Sequence, residues 1–175
     1  ADPARTANLR QKIARAGKRV VGVSGSSSGR NIGHHKSIAL EQMLAPLATN
    51  QLHFVNLQYG DTVAERLALQ DKHGISVQNI DEVDNFNDID GLAALIQACD
   101  IVMTTSNSTA HLAGALGKET LLLLPLGKGK FWYWVEHEGH TPWYPSIRMF
   151  AQAQAGQWQE PLEKIRAHIE NMQWN

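Results

Sequence analysis

A chain of 175 residues with a formal net charge of −1 suits one domain, and its lysines and arginines are scattered, which excludes the basic field that nucleic-acid binding needs. The single cysteine excludes an internal disulfide, and the apolar neighbours of Cys99 make it a small buried filler of a reducing compartment. No apolar run approaches the roughly 20 residues of a membrane span, and no signal-peptide core opens the chain, so a cytoplasmic protein is expected.

Asp2 and Pro3 read as a helix cap followed by proline at the first helical position, and Leu9, Ile13 and Ala16 recur at helical spacing until Gly17, predicting a helix from about Pro3 to Ala16. Arg19 to Ser24 is a β-branched run that predicts the first strand, followed by a glycine and serine loop from Gly25 to Gly29. Ligands of open α/β sheets sit at that edge, which makes Ser24, Gly25 and Ser26 candidates for ligand contact. The loop fits neither the dinucleotide nor the P-loop spacing, and a flexible connection is the competing reading. Leu40, Met43, Leu44 and Leu47 make one apolar helical face whose extent Pro46 limits. His53 to Gln58 reads as the second strand, Asp61 as the cap of a helix from Thr62 to about His73 ended by Gly74, and Ile75 to Ile80 as a short third strand. The four carboxylates from Asp81 to Asp88 suit a loop; they have no EF-hand spacing and no accompanying histidine, so no metal is expected. Asp88 or Asp90 caps a helix through Leu92, Leu95 and Ile96 to Ala98.

Ile101 to Met103 is the apolar run of a buried parallel strand. The hydroxyl and amide side chains of Thr104 to Thr109 separate it from Ala110 to Leu116, which has the small, apolar make-up of a packed helix, capped by Ser108 or Thr109 and ended by Gly117. A strand, a polar turn and a helix start form a ready anion site, because the first helical turn leaves backbone N–H groups free and carries a partial positive charge. Ser106, Asn107, Ser108, Thr109 and His111 are the candidates to line it; the plainer reading is a cap and a satisfied polar histidine. Thr120 to Leu124 is a fifth strand ending at Pro125, and the alternation of strands and helices implies right-handed crossovers and a parallel sheet. The fold class is therefore α/β, a Rossmann-like doubly wound parallel sheet. Between Leu126 and Pro145 the aromatic rings of Phe131, Trp132, Tyr133, Trp134, Trp143 and Tyr144 crowd together, either as a cap that buries its own rings or as a stacking wall for a sugar or base. A short strand near Arg148 to Ala151 and a helix from about Trp158 to Met172, with Leu162, Ile165 and Ile169 on one face, complete the chain.

The run Ser106-Asn107-Ser108-Thr109-Ala110-His111-Leu112-Ala113-Gly114-Ala115-Leu116-Gly117-Lys118 resembles the donor-site motif of bacterial glycosyltransferases related to the ADP-heptose lipopolysaccharide heptosyltransferases. Among these the match is with the branch fused to tetratricopeptide repeats. Lys36-Ser37-Ile38-Ala39-Leu40, Leu57-Gln58 and Thr141-Pro142-Trp143-Tyr144-Pro145 are similar to further segments of that branch in the same order. The pattern departs at the turn, where the family reads Asp-Thr/Ser-Gly and this chain has Ser106, Asn107 and Ser108, which removes a carboxylate.

The resemblance implies the C-terminal half of a GT-B fold, with residues 1–175 forming a single nucleotide-sugar-binding domain, 1–17 a linker helix and 158–172 a C-terminal helix. It implies a nucleotide diphosphate sugar as ligand, Lys36 facing the donor diphosphate or the acceptor cleft, Gln58 at the ligand edge, and the loop after the third strand near the nucleotide base. It also implies an acceptor-binding N-terminal domain or repeat region that this chain does not contain and that supplies the general base; no cofactor is expected. The competing function is a non-catalytic nucleotide-binding or interaction module that kept the fold and lost transfer activity. A receiver or methyltransferase fits poorly, because serines follow the first strand and Gln58 stands at the end of the second.

Overall fold

The computed structural model describes residues 1–28, 32–137 and 140–172, so Gly29 and Gly139 of the sequence motifs lie outside the described residues. In chain order the elements are α1 (Pro3–Ile13), β1 (Arg19–Ser24), α2 (Gly33–Lys36), α3 (Leu40–Leu44) with a 3-10 turn at Ala45–Leu47, β2 (Leu52–Asn56), α4 (Val63–His73), β3 (Val77–Gln78), α5 (Ile89–Ala98), β4 (Ile101–Thr105), α6 (Ser108–Ala115), β5 (Thr120–Leu124), β6 (His140–Thr141), β7 (Tyr144–Ala151) and α7 (Gln159–Asn171). The strands form one sheet in the order β3-β2-β1-β4-β5-β7-β6, parallel except where β6 runs against β7. No helix among the described residues is long and apolar enough to cross a membrane.

The central strands are buried along their length because helices cover both faces, and alternate side chains feed two different cores. Val21, Val23, Met103, Leu121 and Leu123 pack with Leu40, Met43 and Leu44 of α3 and Leu162, Ile165 and Ile169 of α7. Val20, Val55, Leu57 and Val102 point the other way, against Leu9 and Ile13 of α1, the apolar face of α5 and Ala113 of α6. Strand order reverses between β1 and β4, and the crevice at the carboxyl ends of those two strands is where such sheets take ligands.

Several boundaries differ from those expected, each for a local reason. α1 is capped by Asp2, whose Oδ1 accepts from Ala4 N at 2.8 Å, but it stops at Ile13, not Ala16. Ala14, Arg15 and Ala16 are exposed and add nothing to the apolar face made by Leu9 and Ile13, and Gly17 turns the chain at φ 70°. β2 ends at Asn56, where the Asn56 side chain accepts from Gln58 N at 3.1 Å and bends the chain before Gln58. β3 shrinks to Val77–Gln78 at the sheet edge. Asp88, not Asp90, caps α5 through Gly91 N at 2.9 Å. The helix α6 is capped by neither Ser108 nor Thr109: Asn107 accepts from Ala110 N, which moves the first turn one residue earlier and places Ser108 in it. β7 starts at Tyr144, not near Arg148, so half of the aromatic segment's end is strand.

α6 lies close against β7 because Gly114 has no side chain: a Cβ there would stand 2.5 Å from Tyr144 Cγ and 2.9 Å from Ile147 Cδ1. Gly114→Ala is expected to destabilise the fold by about 1–3 kcal/mol through overpacking, read as a lower urea midpoint with unchanged slope.

Candidate functional site

The carboxyl ends of β1 and β4 are joined by a buried polar interlock. Ser24 ends β1 fully buried, and its hydroxyl donates to Gln58 Oε1 at 2.9 Å and accepts from Asn107 Nδ2 at 2.9 Å. Asn107 also donates to the Ser26 carbonyl at 3.1 Å, and its Oδ1 accepts from the Thr104 hydroxyl at 3.0 Å while capping α6. Gln58 Oε1 accepts in addition from Ser26 N at 2.8 Å, and Thr109 Oγ1 lies 3.5 Å from Ser24 Oγ. Gly25 serves the same corner: its carbonyl accepts from Ile38 N at 2.9 Å, and a Cβ at Gly25 would stand 2.6 Å from the Ile38 carbonyl. Five of the ten residues singled out from the sequence, Ser24, Gly25, Gln58, Asn107 and Thr109, thus meet at one point and spend their polar atoms mainly on each other.

The others stand around the opening. Ser108 is exposed in the first turn of α6, and the amides of Ser108 and Thr109 have no intrahelical acceptor. Ser26 is exposed on the facing loop. The Ser106 hydroxyl is buried and accepts from Trp134 Nε1 at 2.8 Å, so it anchors the aromatic segment. Lys36, at the end of α2, is 8% exposed; its ammonium sits 4.6 Å from the centre of the Phe131 ring, a cation–π contact, and has no carboxylate partner among the described residues. Removal from water lowers its pKa.

His111 is half-buried in an aromatic nest. Its ring stacks on Trp134, with centroids 5.0 Å apart and planes 19° apart, and its Nδ1 lies 3.3 Å from the Tyr144 hydroxyl. Desolvation first, and the nearby Lys36 charge second, lower its pKa below the ordinary 6.5, so the ring is neutral at pH 7. A Tyr144 hydroxyl that donates to Nδ1 leaves the proton on Nε2 as a hydrogen-bond donor. The aromatic segment therefore divides: Trp134 is buried core, while Trp132 and Trp143 are exposed.

Next to the interlock, between the β3–α5 loop and α6, lies a cavity of about 310 Å³ that the sequence did not single out, walled by Tyr59, Phe86, Ile89, Leu92 and Leu112, with Asn85 and Ser108 among its polar groups. Tyr59 and Phe86 pair with ring centroids 5.7 Å apart. Phe86 was hidden in an acidic stretch; an aromatic inside such a stretch was the available signal. A larger cavity, about 770 Å³, opens at the amino edge of the sheet beside α1. Its charges are engaged: Arg10 pairs with Asp100 at 2.8 Å, and Lys118 donates to the carbonyls of Gln97 and Cys99 at 3.1 and 2.7 Å, closing the end of α5. Lys118 is desolvated, which lowers its pKa, but its ammonium is spent on those two carbonyls, whereas Lys36 at the carboxyl edge rests on a ring with no carboxylate partner among the described residues.

No family model matches the chain. Over 97% of its length it superposes on 51% of Escherichia coli ADP-heptose lipopolysaccharide heptosyltransferase II, with a TM-score of 0.66 and 14% sequence identity. The chain thus shares the Rossmann-like α/β fold of the matched part of that structure. In sequence the chain is 32% identical over 166 residues to protein FlbA of Caulobacter vibrioides, a match that takes in 94% of this chain and 27% of that protein. The chain thus spans about a quarter of the length of that relative and half that of the heptosyltransferase.

Because Lys36 contributes to the depression of the His111 pKa, Lys36→Met is expected to raise the His111 pKa toward its ordinary value while the remaining desolvation keeps it below 6.5. NMR titration of the ring protons in both proteins checks the direction; an unchanged or lower value would show that the two side chains are not electrostatically coupled.

Proposed function

We propose that this domain is the donor-binding half of a glycosyltransferase that takes a nucleotide diphosphate sugar at the carboxyl edge of β1 and β4. The observation that carries the reading is Lys36: a cation held out of water over Phe131, without a carboxylate partner among the described residues, beside His111 in the first turn of α6. Burial of an unpaired charge is costly, and a bound anion offsets that cost. The helix start supplies N–H groups and partial positive charge toward the same anion.

In this reading Lys36, the Ser108 and Thr109 amides, the Ser108 hydroxyl and His111 Nε2–H hold the diphosphate, with Ser26 on the opposite lip. Ser24, Gly25, Gln58, Asn107 and Thr109 position them, and Ser106 holds Trp134 under His111. During transfer the bond between the anomeric carbon and the diphosphate oxygen breaks, its electron pair goes to that oxygen, and the acceptor hydroxyl takes the carbon. Groups that bind the charge growing on the leaving diphosphate lower the barrier more than groups that bind the intact sugar equally well. The acceptor's proton leaves to a base that we assign to an N-terminal acceptor-binding domain or repeat region, and no residue here is assigned that role. The cavity beside Tyr59 and Phe86 is placed to receive the base. α1 is then the linker, the domain stands as the C-terminal half, and the protein works in the cytoplasm. A non-catalytic module is the second reading, favoured by the neutral turn at Ser106 and Asn107; it too binds the diphosphate or has lost it.

Calorimetry on the chain in EDTA should detect pyrophosphate and at least one of UDP, GDP and ADP. A hydrogen bond to a charged group contributes about 1.5–3 kcal/mol, so Lys36→Met is expected to weaken binding roughly ten- to a hundredfold. Anion binding should raise the depressed His111 pKa, so protons are taken up on binding near pH 6.5, visible as a dependence of the heat on buffer ionisation. His111→Ala should weaken binding and also lower the melting temperature, since the ring packs on Trp134. Silence from pyrophosphate and all three nucleotides would remove the donor-binding reading.

A further inference from the structure

We propose that Tyr144 is a positioning residue that fixes the tautomer of His111 and follows its change of protonation when an anion binds; this rests on the donor-binding reading above. The segment Thr141-Pro142-Trp143-Tyr144-Pro145 has no part in that reading. It nevertheless supplies the hydrogen-bond partner that the His111 ring has among the described residues, with Nδ1 3.3 Å from the Tyr144 hydroxyl. Trp134, Tyr133 and Tyr144 surround the imidazole with ring centroids 5.0, 5.3 and 5.8 Å away. Ring contact holds the plane of the imidazole but does not choose between its nitrogens. The Tyr144 hydroxyl does.

A neutral imidazole has one N–H and one bare nitrogen, and a phenol has one proton to donate. If the hydroxyl accepted from an Nδ1–H, its own proton would have no acceptor among the described residues, and Nε2 would be bare. If it donates to Nδ1, the proton of the imidazole stays on Nε2. That nitrogen lies on another edge of the ring, away from Tyr144. It has no partner among the described residues and yet is not one of the buried unpartnered atoms, so it is open to solvent. Donation by Tyr144 therefore satisfies the enclosed pair and leaves the N–H at the accessible nitrogen, where an anion can take it.

The hydroxyl is held in place by the segment around it. Thr141 and Tyr144 pair across the turn between β6 and β7. Trp143 N donates to Thr141 Oγ1 at 3.4 Å, and Trp143 Nε1 donates to the Tyr133 carbonyl at 2.8 Å, which ties the turn to the aromatic segment. The Tyr144 ring lies over Gly114, about one helical turn beyond His111, where a Cβ would stand 2.5 Å from its Cγ. A hydroxyl also suits the bound state. An anion at Nε2 favours the imidazolium, which takes a proton from solvent and then carries N–H on both nitrogens. Rotation about its C–O bond lets Tyr144 accept from Nδ1 where it had donated. The charge acting on the ring from outside α6 is that of Lys36 on α2, which opposes the imidazolium, so an acceptor at Nδ1 is needed to offset it.

The test joins nitrogen NMR of the ligand-free chain, with the His111 signals assigned by their loss in His111→Ala, to pyrophosphate calorimetry on the wild type and on Tyr144→Phe. At a pH where the ring is neutral, wild-type His111 should show a protonated Nε2 and a bare Nδ1. Tyr144→Phe keeps the ring over Gly114 and removes only the hydroxyl. It should move His111 toward a mixture of tautomers, weaken pyrophosphate binding about two- to tenfold and reduce the proton uptake on binding. A bare Nε2 in the wild type overturns the proposal. So does a Tyr144→Phe variant with the wild-type tautomer, whether its affinity is unchanged or lower, because a fall in affinity alone would mark a packing role. Those outcomes leave the diphosphate site standing. Failure of pyrophosphate and nucleotides to bind the wild type removes the donor-binding reading and with it the role of Tyr144 in binding, whereas the tautomer is still read from the ligand-free spectrum.

Discussion

With one side chain Asn107 touches β1, β4, the glycine–serine loop and the start of α6. Parallel strands end in unpaired carbonyls and amides, and at a switch point the chains diverge so that no neighbouring strand can satisfy them. The amide of Asn107 answers this with a donor for Ser24 Oγ and the Ser26 carbonyl and an acceptor for the Thr104 hydroxyl and Ala110 N. A carboxylate there could accept but not donate, and would face Gln58 Oε1 across Ser24. A neutral amide therefore suits the joint; the acid of the turn pattern falls one place earlier, at Ser106, whose hydroxyl here accepts from Trp134 Nε1. Everything at the opening, including Ser108, His111 and the Ser26 loop, takes its position from this joint.

Charge at the opening comes from elsewhere. With a neutral turn, the positive field rests on Lys36 and the helix start, and both are made effective by the aromatic segment. Phe131 lies under the ammonium, Trp134 lies under His111, and Ser106 ties Trp134 to the turn. Burial that keeps His111 neutral and holds Lys36 dry weakens the protein's hold on both protons, yet the same low dielectric strengthens any hydrogen bond they make to an anion. The rings thus act on the site through packing and desolvation, while Trp132 and Trp143 are exposed.

The sheet and its helices were legible because their signals are local: β-branched runs, caps such as Asp2 and Asp88, and terminators such as Gly74 and Gly117. Strand ends were less so, since β3 and the start of β7 depend on edge pairing that no single segment encodes. At the site, the sequence singled out residues that the structure brings to one edge of the sheet but could not sort them. Ser24, Asn107 and Thr109 are polar residues at a ligand edge, and only their mutual distances separate a buried joint from a ligand contact. Asn85 and Phe86 were missed because nothing in an acidic stretch tells which of its polar atoms is buried without a partner.

The β3–α5 loop is also where the outlying helix acts on the site. Asp88 caps α5 through Gly91 N and at the same time accepts from the two terminal guanidinium nitrogens of Arg5, and Gly91 has no room for a side chain because a Cβ would run into Arg5 Nη2 and Asp88. Exposed ion pairs of this sort contribute little stability singly, so their effect is geometric. With Lys12 on Glu82, Arg5 on Asp88 and Arg15 on Gln78 at 2.8 Å, α1 grips the loop at both ends and the strand before it. α1 holds the flanks of Asn85, while Asn85 itself is held by the carbonyls of Asn56 and Gln58. The loop thus answers both to a helix at the margin and, through the Asn85 bond to the Gln58 carbonyl, to the switch point of the sheet.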